Sequence, residues 1–385
     1  MSLSAEPPRI NLILFFVKPT AGGLVNYGLK YRIRPLLVGT NEPTDRLADI
    51  SRIKFLGRAF LSTASNTPLG LELAKGNKPA NIHGIITAWF ITGFTDGEGT
   101  FGVYFIKKNK NLKLGMTFIP LFQIGVHKKD EELLKEIQEV GFKGIGSITY
   151  NKDTALFKVQ SLKDILTVVI PHFDKYPLMT QKRADYLLFR EIVIKMSRRE
   201  HLKIEGIQEI LNLKASLNLG LAEADLEAFP ETRPVPRPLV EPSSQIIPDP
   251  EWVSGFVSAE GCFYVGSYKV SDRSLGVRIE VRLEVAQHTR DELLMSSLVS
   301  YLGCGKYEKR NYQDLGYYRV FNFADIHGKI LPFFQEHKVR GVKWNDFRDW
   351  CQVVELMKEK KHLTSEGMDQ IIKIKAGMNT GRNWD

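Results

Sequence analysis

Residues 91–101 read ITGFTDGEGTF, and residues 253–263 read VSGFVSAEGCF. Each stretch is apolar, studded with small residues, and closes on Glu-Gly-x-Phe. The recurrence runs well past the motifs. Glu98 and Glu260 are 162 positions apart, while His127 and His288, like Asp130 and Asp291, are 161 apart. At that spacing Asp164, Pro171, Lys182 and Asp185 return as Asp325, Pro332, Lys343 and Asp346. Likewise His201, Gly206, Lys214, Asn218 and Gly220 return as His362, Gly367, Lys375, Asn379 and Gly381. A period this long exceeds any solenoid repeat and means two copies of one domain.

The coarse order within each copy is the same. An apolar helix (about 85–98 and 250–260) leads into two alternating strands, a helix, two shorter strands and three helices. Val277, Ile279, Val281, Leu283 and Val285 share one strand face, with Arg278, Glu280, Arg282 and Glu284 on the other. In the first copy Phe101, Val103 and Phe105 alternate with Gly102, Tyr104, Ile106 and Lys108. The expected division is a leader over 1–80, a first domain over 81–223, a proline-rich linker over 224–249 and a second domain over 250–385. Prolines 230, 234, 236, 238, 242, 248 and 250 make the linker a semi-rigid extended connector.

A chain of 385 residues, 43% hydrophobic and 25% charged, can bury one or two sizeable cores. Cys262, Cys304 and Cys351 show no CxxC spacing, which argues against a disulfide framework or zinc site and for a reducing compartment. No apolar run is long enough to span a bilayer, so a soluble protein with no membrane partner is expected. The net charge of +9 suggests a polyanionic partner, but residues 1–80 hold eleven Lys/Arg against five Asp/Glu and carry most of the excess. Within that leader RIKFLGRAFLSTAS (52–65) is similar to an organellar presequence, with a flexible appendage or upstream read-through as the alternatives.

Gly93 and Gly97, like Gly255 and Ala259, are four apart. Small residues so spaced clear a helix face for close approach of a second helix, or for packing on a sheet. Glu98 and Glu260 end their helices, where the helix dipole disfavours a carboxylate, and a Gly after each is a helix stop. Two such helices side by side would bring both carboxylates and free carbonyls together, an oxygen-rich pocket suited to Mg²⁺ or a similar hard cation. Such a site can assist phosphodiester hydrolysis. Asp96 is matched by Ser258, so helix-end polarity is its expected role. His127 and His288 each precede a helix start and read as strand-end packing or capping residues in preference to metal ligands, and Trp89 and Trp252 as core anchors.

Both stretches resemble the paired motifs of the LAGLIDADG homing endonucleases. FQIGVHKKD (122–130), YPLMTQK (176–182), GVKWNDFRDW (341–350), KKHLTSEG (360–367) and IKAGMNTGR (374–382) are similar to the single-chain I-OnuI group of fungal mitochondrial introns. The resemblance covers about 85–383 and implies an α+β fold of two pseudo-symmetric αββαββα domains, with saddle-shaped antiparallel sheets and helices on one face. It implies an intron-encoded, mitochondrial, monomeric endonuclease that breaks both strands of an asymmetric duplex of about 20 bp, or two helical turns, leaving 3′ overhangs. Glu98 and Glu260 would be the metal-binding catalytic acids, with the carbonyls of Gly97 and Ala259 as further ligands. Mg²⁺ or Mn²⁺ would be the cofactor, with Ca²⁺ supporting binding without cleavage. Lys182 and Lys343 match basic positions near the cleavage centre, against a reading as ordinary surface lysines. Gln287 matches a polar position near the attacking water, whereas the first copy has Val126, so an asymmetric centre is expected. The groove-facing candidates are Thr100, Tyr104, Lys108, Tyr264, Tyr268, Arg278, Glu280 and Arg282.

Two further readings compete: an RNA maturase that helps a group I intron fold, and a DNA-binding protein that does not cut. Both acids favour the enzyme, since a pure binder has no need of them.

Overall fold

In the computed structural model, which describes residues 84–107, 116–241, 246–271 and 274–382, the first motif forms helix α1 (Ala88–Glu98). Thr87 starts it three residues later than the apolar pattern suggests, its hydroxyl accepting the Phe90 N–H at 3.2 Å, a cap worth about 1 kcal/mol. The helix passes directly into β1 (Gly99–Lys107), which pairs antiparallel with β2 (Met116–His127). There follow α2 (Glu131–Glu136), β3 (Ser147–Asn151), β4 (Thr154–Val159), α3 (Leu162–Asp164), α4 (Ile170–Lys175), α5 (Lys182–Ser197) and α6 (Ile204–Ser216). After the short α7 (Glu223–Ala228) the pattern repeats. The second set is α8 (Pro250–Glu260), β5 (Gly261–Lys269), β6 (Val277–His288), α9 (Glu292–Leu302), β7 (Lys306–Lys309) and β8 (Leu315–Val320). It closes with α10 (Phe323–Asp325), α11 (Leu331–Glu336), α12 (Lys343–Lys358) and α13 (Ser365–Ala376). The two four-stranded sheets have the orders β1-β2-β4-β3 and β5-β6-β8-β7.

Each sheet has one face packed on helices because its strands alternate in polarity. In β6 the alternation is regular, with Ile279, Val281, Leu283 and Val285 buried and Arg278 exposed. Phe101, Phe122, Phe142, Phe157, Phe173 and Phe189 are fully buried in one core; Trp252, Phe256, Phe263, Phe334, Phe347 and Trp350 fill the other. Burying each such ring is worth roughly 1.5–3 kcal/mol. Trp89 differs from its expected role: it is only half-buried, edge-on to Tyr176 at 5.4 Å.

The glycines after the motif acids are extended, not left-handed, with φ −81° at Gly99 and −74° at Gly261. The requirement there is space. A Cβ on Gly99 would stand 2.8 Å from the Thr95 carbonyl.

The α1 and α8 helices cross so closely that a Cβ on Gly93 would stand 2.9 Å from the Phe256 nitrogen, and one on Gly255 2.9 Å from the Phe94 nitrogen. The small-residue spacing therefore serves helix–helix approach. Asp96 corrects the expectation of helix-end polarity. It is 2% exposed and accepts from Met179 N–H and Thr180 N–H (3.0 Å each), Thr180 hydroxyl (2.6 Å) and Trp252 indole N–H (2.8 Å), tying the two copies together. Its counterpart Ser258 accepts one bond, from Arg340 N–H at 3.0 Å.

The connector is helical at its start, in α7, and only then extended, up to residue 241. It is strapped to the first half: Ser216 hydroxyl donates to the Val235 carbonyl at 2.5 Å, and the Arg237 guanidinium meets Asp185 Oδ2 at 2.6 Å. The leader and Lys108 lie outside the described residues. Among the described residues no helix is long and apolar enough to cross a membrane.

Candidate active site

Because α1 and α8 run side by side, their last residues meet. The Glu260 carboxylate lies over Gly97, its Oε1 3.4 Å from where a Cβ on Gly97 would be, and Ala259 Cβ fills the same space. Gly97, Glu98, Ala259 and Glu260 are all partly exposed, so this junction opens to solvent at the end of two otherwise buried helices.

Lysines close it from behind. Lys182 is the first residue of α5, and its Nζ donates to the Thr95 and Gly97 carbonyls at 2.9 Å each. Burial holds this ammonium below the usual lysine range, against the opposing pull of Asp96, Glu260 and Glu98. Lys343 opens α12, is 3% exposed, and donates to the Gly261 carbonyl at 2.5 Å. Neither is a surface lysine. Lys182 grips the last turn of its motif helix, and Lys343 reaches the residue just past the end of α8.

The cleft beside Glu98 contains, besides Gly97, Thr100 and Lys182, two residues that sequence reasoning missed: Arg237 from the connector and Arg290 from the second copy. Arg237 was hidden among prolines that read as a linker. Gln287 sits on the helix-facing register of β6, where Val126 stands in β2, and its Oε1 accepts the His288 N–H at 2.9 Å. His127 and His288 cap the turns that follow their strands, accepting from Lys129 N–H (3.3 Å) and Arg290 N–H (3.1 Å).

The solvent faces of the two sheets differ in chemistry. On the second, Arg282 stacks 4.0 Å from the Tyr264 ring and reaches Glu280 at 3.0 Å, while Arg278 lies 5.5 Å from the Tyr268 ring. Glu280 thus pairs with one end of Arg282, whose buried Nε has no hydrogen-bond partner and lies 3.5 Å from Glu284 Oε2. Sequence reasoning missed Arg319, which joins Glu284 (2.7 Å) and Glu308 (3.3 Å) in the same network; its strand was too short to show alternation. On the first sheet Thr100 and Tyr104 are exposed, and Tyr104, Ile106, Ile119, Leu121 and Leu156 share the outward register with Thr117, Gln123 and Lys158. That face is mixed: Ser147, Thr149, Asn151 and Thr154 share it, so apolar side chains stand among hydroxyls and amides, without the charge network of the second sheet.

Among the described residues no group of three or more His, Cys, Asp or Glu could hold a metal ion. Two carboxylates and adjacent helix-end carbonyls fit a hard cation that takes its remaining ligands from water and a phosphate, the usual manner of Mg²⁺; they do not make a closed protein cage.

The sequence profile of the LAGLIDADG endonucleases matches residues 91–193 and 253–354. The chain is 37% identical over 288 residues to probable intron-encoded endonuclease 3 of Neurospora crassa, covering 74% of this chain and 53% of that one. It therefore spans about half the length of that relative. It is 30% identical to probable intron-encoded DNA endonuclease 1 of Mycosarcoma maydis, over 67% of this chain and 95% of the relative. The structure is similar to the I-SmaMI LAGLIDADG homing endonuclease bound to cleaved DNA, with TM-score 0.75 and 41% identity over 78% of this chain and 99% of the other. I-SmaMI has also been solved on an uncleaved DNA target in the presence of calcium ions.

Proposed function

Since the chain belongs to the LAGLIDADG endonuclease family, we propose that it is an intron-encoded, site-specific endonuclease that breaks both strands of an asymmetric DNA duplex. The observation that carries this reading is that Glu260 lies against Gly97, the residue before Glu98, at one solvent-open helix junction, with both carboxylates acting on Lys182 behind it.

Glu98 and Glu260, with the Gly97 and Ala259 carbonyls, would hold Mg²⁺ or Mn²⁺. Bound there, the cation would supply Lewis acidity toward the phosphate and would lower the pKa of water. Lys182 and Lys343 neutralise charge developing on the phosphate from within a partly buried setting, where such charges act strongly. Gln287 orients water on its side alone, since Val126 has no polar group to offer. Arg237 and Arg290 draw the backbone of one strand into the Glu98 cleft. Each sheet face lies against one half of a target of about two helical turns, the mixed first face offering Ile106, Ile119 and Leu156 to thymine methyls and the Arg/Glu second face reading base-edge donors and acceptors. The chain acts as a monomer, its two halves doing what two subunits would, and its place is the mitochondrion that houses such introns. Short 3′ overhangs are the expected product.

The test is cleavage of a randomised duplex library by the full chain with Mg²⁺, Ca²⁺ and no divalent ion. Recovery of one asymmetric site, cut only with Mg²⁺, supports the reading. Tight duplex binding without cutting under any ion overturns it and makes intron RNA the next ligand.

A further inference from the structure

Lys182 and Lys343 are each the first residue of a 16-residue helix, and neither preceding residue, Gln181 nor Val342, caps its helix with its own side chain. The acceptor comes from the other half of the protein. Asp291, in the turn after β6, accepts the Gln181 N–H through Oδ1 at 2.6 Å. Asp130, in the corresponding turn after β2, accepts the Val342 N–H through Oδ1 at 2.7 Å. The two contacts exchange under the internal repeat, so one device is used twice. Each carboxylate also stands at the positive end of the helix it serves, which favours an anion there.

The aspartates are themselves fixed. His127 and His288 cap the turns that present them. Asp291 is 1% exposed, with Arg290 Nε 3.8 Å from its Oδ2. Asp130 lies so close to Gly341, at φ +66°, that no side chain could stand there.

We propose that Asp130 and Asp291 are reciprocal positioning residues, each half of the protein setting through one carboxylate the lysine that serves cleavage in the other half. This rests on the endonuclease reading of Lys182 and Lys343. Its consequence is that neither cleavage centre is complete within its own half: loosening the docking of the halves displaces both lysines together, and a displacement near 1 Å can cost about 10²-fold in rate.

The test compares full-length wild type, Asp130→Ala, Asp291→Ala and the two Asp→Asn variants. Hydrogen exchange is followed in the free protein, and cleavage on supercoiled plasmid carrying the duplex that wild type selects from the random library. Asp291→Ala should speed exchange over 178–186 and leave 339–347 unchanged, and Asp130→Ala should do the reverse. Each alanine variant should accumulate nicked plasmid, with one strand cut about tenfold or more slowly and duplex binding in Ca²⁺ unchanged. The Asn variants keep an accepting oxygen and should restore both. If an alanine variant does not fold, Asp→Ser, too short to reach, takes its place. Faster exchange confined to the substituted residue's own half, or crosswise loosening with both strands cut at wild-type rates, overturns the proposal. If wild type cuts no duplex, the endonuclease reading fails, while crosswise exchange still decides whether the halves hold each other's helices.

Discussion

Glu260 Oε1 lies 3.4 Å from the point where a Cβ on Gly97 would stand, so the carboxylate of one half rests on the helix backbone of the other. The placement of the acids depends on the absence of a side chain at Gly97. Gly97→Ala should therefore push Glu260 and Ala259 away and separate Glu98 from Glu260. We expect single-turnover cleavage to fall by about 10²-fold while binding of the same duplex in Ca²⁺ is kept. Equal cleavage by the variant would show that the acids need no such closeness.

Asp96 and Ser258 occupy equivalent places but should differ in worth. Asp96→Ala leaves the donors of Met179, Thr180 and Trp252 buried without an acceptor and, with several neutral donors unpaired at about 1–3 kcal/mol each, should cost more than about 3 kcal/mol. Ser258→Ala removes the bond from Arg340 N–H and the one its hydroxyl donates to the Ser254 carbonyl, and should cost about 1–2 kcal/mol. Urea unfolding of both variants measures the difference; similar midpoints would contradict it.

Burial raises Asp130 and Asp291 to about 6. Asp291 is faced by Arg290 and Lys182, which lower it, and by Asp96, which raises it. Asp130 is faced by Lys129, which lowers it, and by Asp346, which raises it. A folded-state value above the unfolded one means that the folded protein binds the proton more tightly between those values. The ionised carboxylates therefore cost stability above pH 6, and the cost is relieved as pH falls through 6 toward 4. Relative to Asp291→Asn, wild type should gain on the order of 2–3 kcal/mol between pH 7.5 and 4. A stability gap independent of pH would contradict the shift.

The unlike sheet faces make a prediction about bases. Replacing thymine by uracil across one half of the selected duplex should weaken binding, at about 0.8 kcal/mol for each methyl lost from contact, and across the other half should change little. Arg319→Ala should relax specificity only in the half that tolerates uracil. Equal sensitivity of the two halves would remove the assignment of the first face to thymine.

The duplication, the two motif helices and the order of elements along the chain were legible because they rest on periodicity and on spacing. The Gly93/Gly255 crossing was legible as one of two readings, and the steric fit decided it. Asp96, Asp130 and Asp291 were not legible. Each accepts from backbone N–H groups supplied from 83 to 212 residues away, donors that leave no side-chain signature, and Asp96 adds the distant Thr180 hydroxyl and Trp252 indole. Arg237 was missed because its neighbours are prolines, and Arg319 because β8 has six residues and its partner β7 four. The metal-binding role of Glu98 and Glu260 was inferred from helix ends before the resemblance supplied it, whereas the role given to Gln287 came from the resemblance alone.

The most direct measurement is strand cleavage of the selected duplex in Mg²⁺ by wild type, Glu98→Gln and Glu260→Gln, with binding followed in parallel. Wild type should cut both strands, and each variant should bind as tightly while losing cleavage. Cutting at wild-type rates by either variant would contradict a centre built on the two helix-end carboxylates.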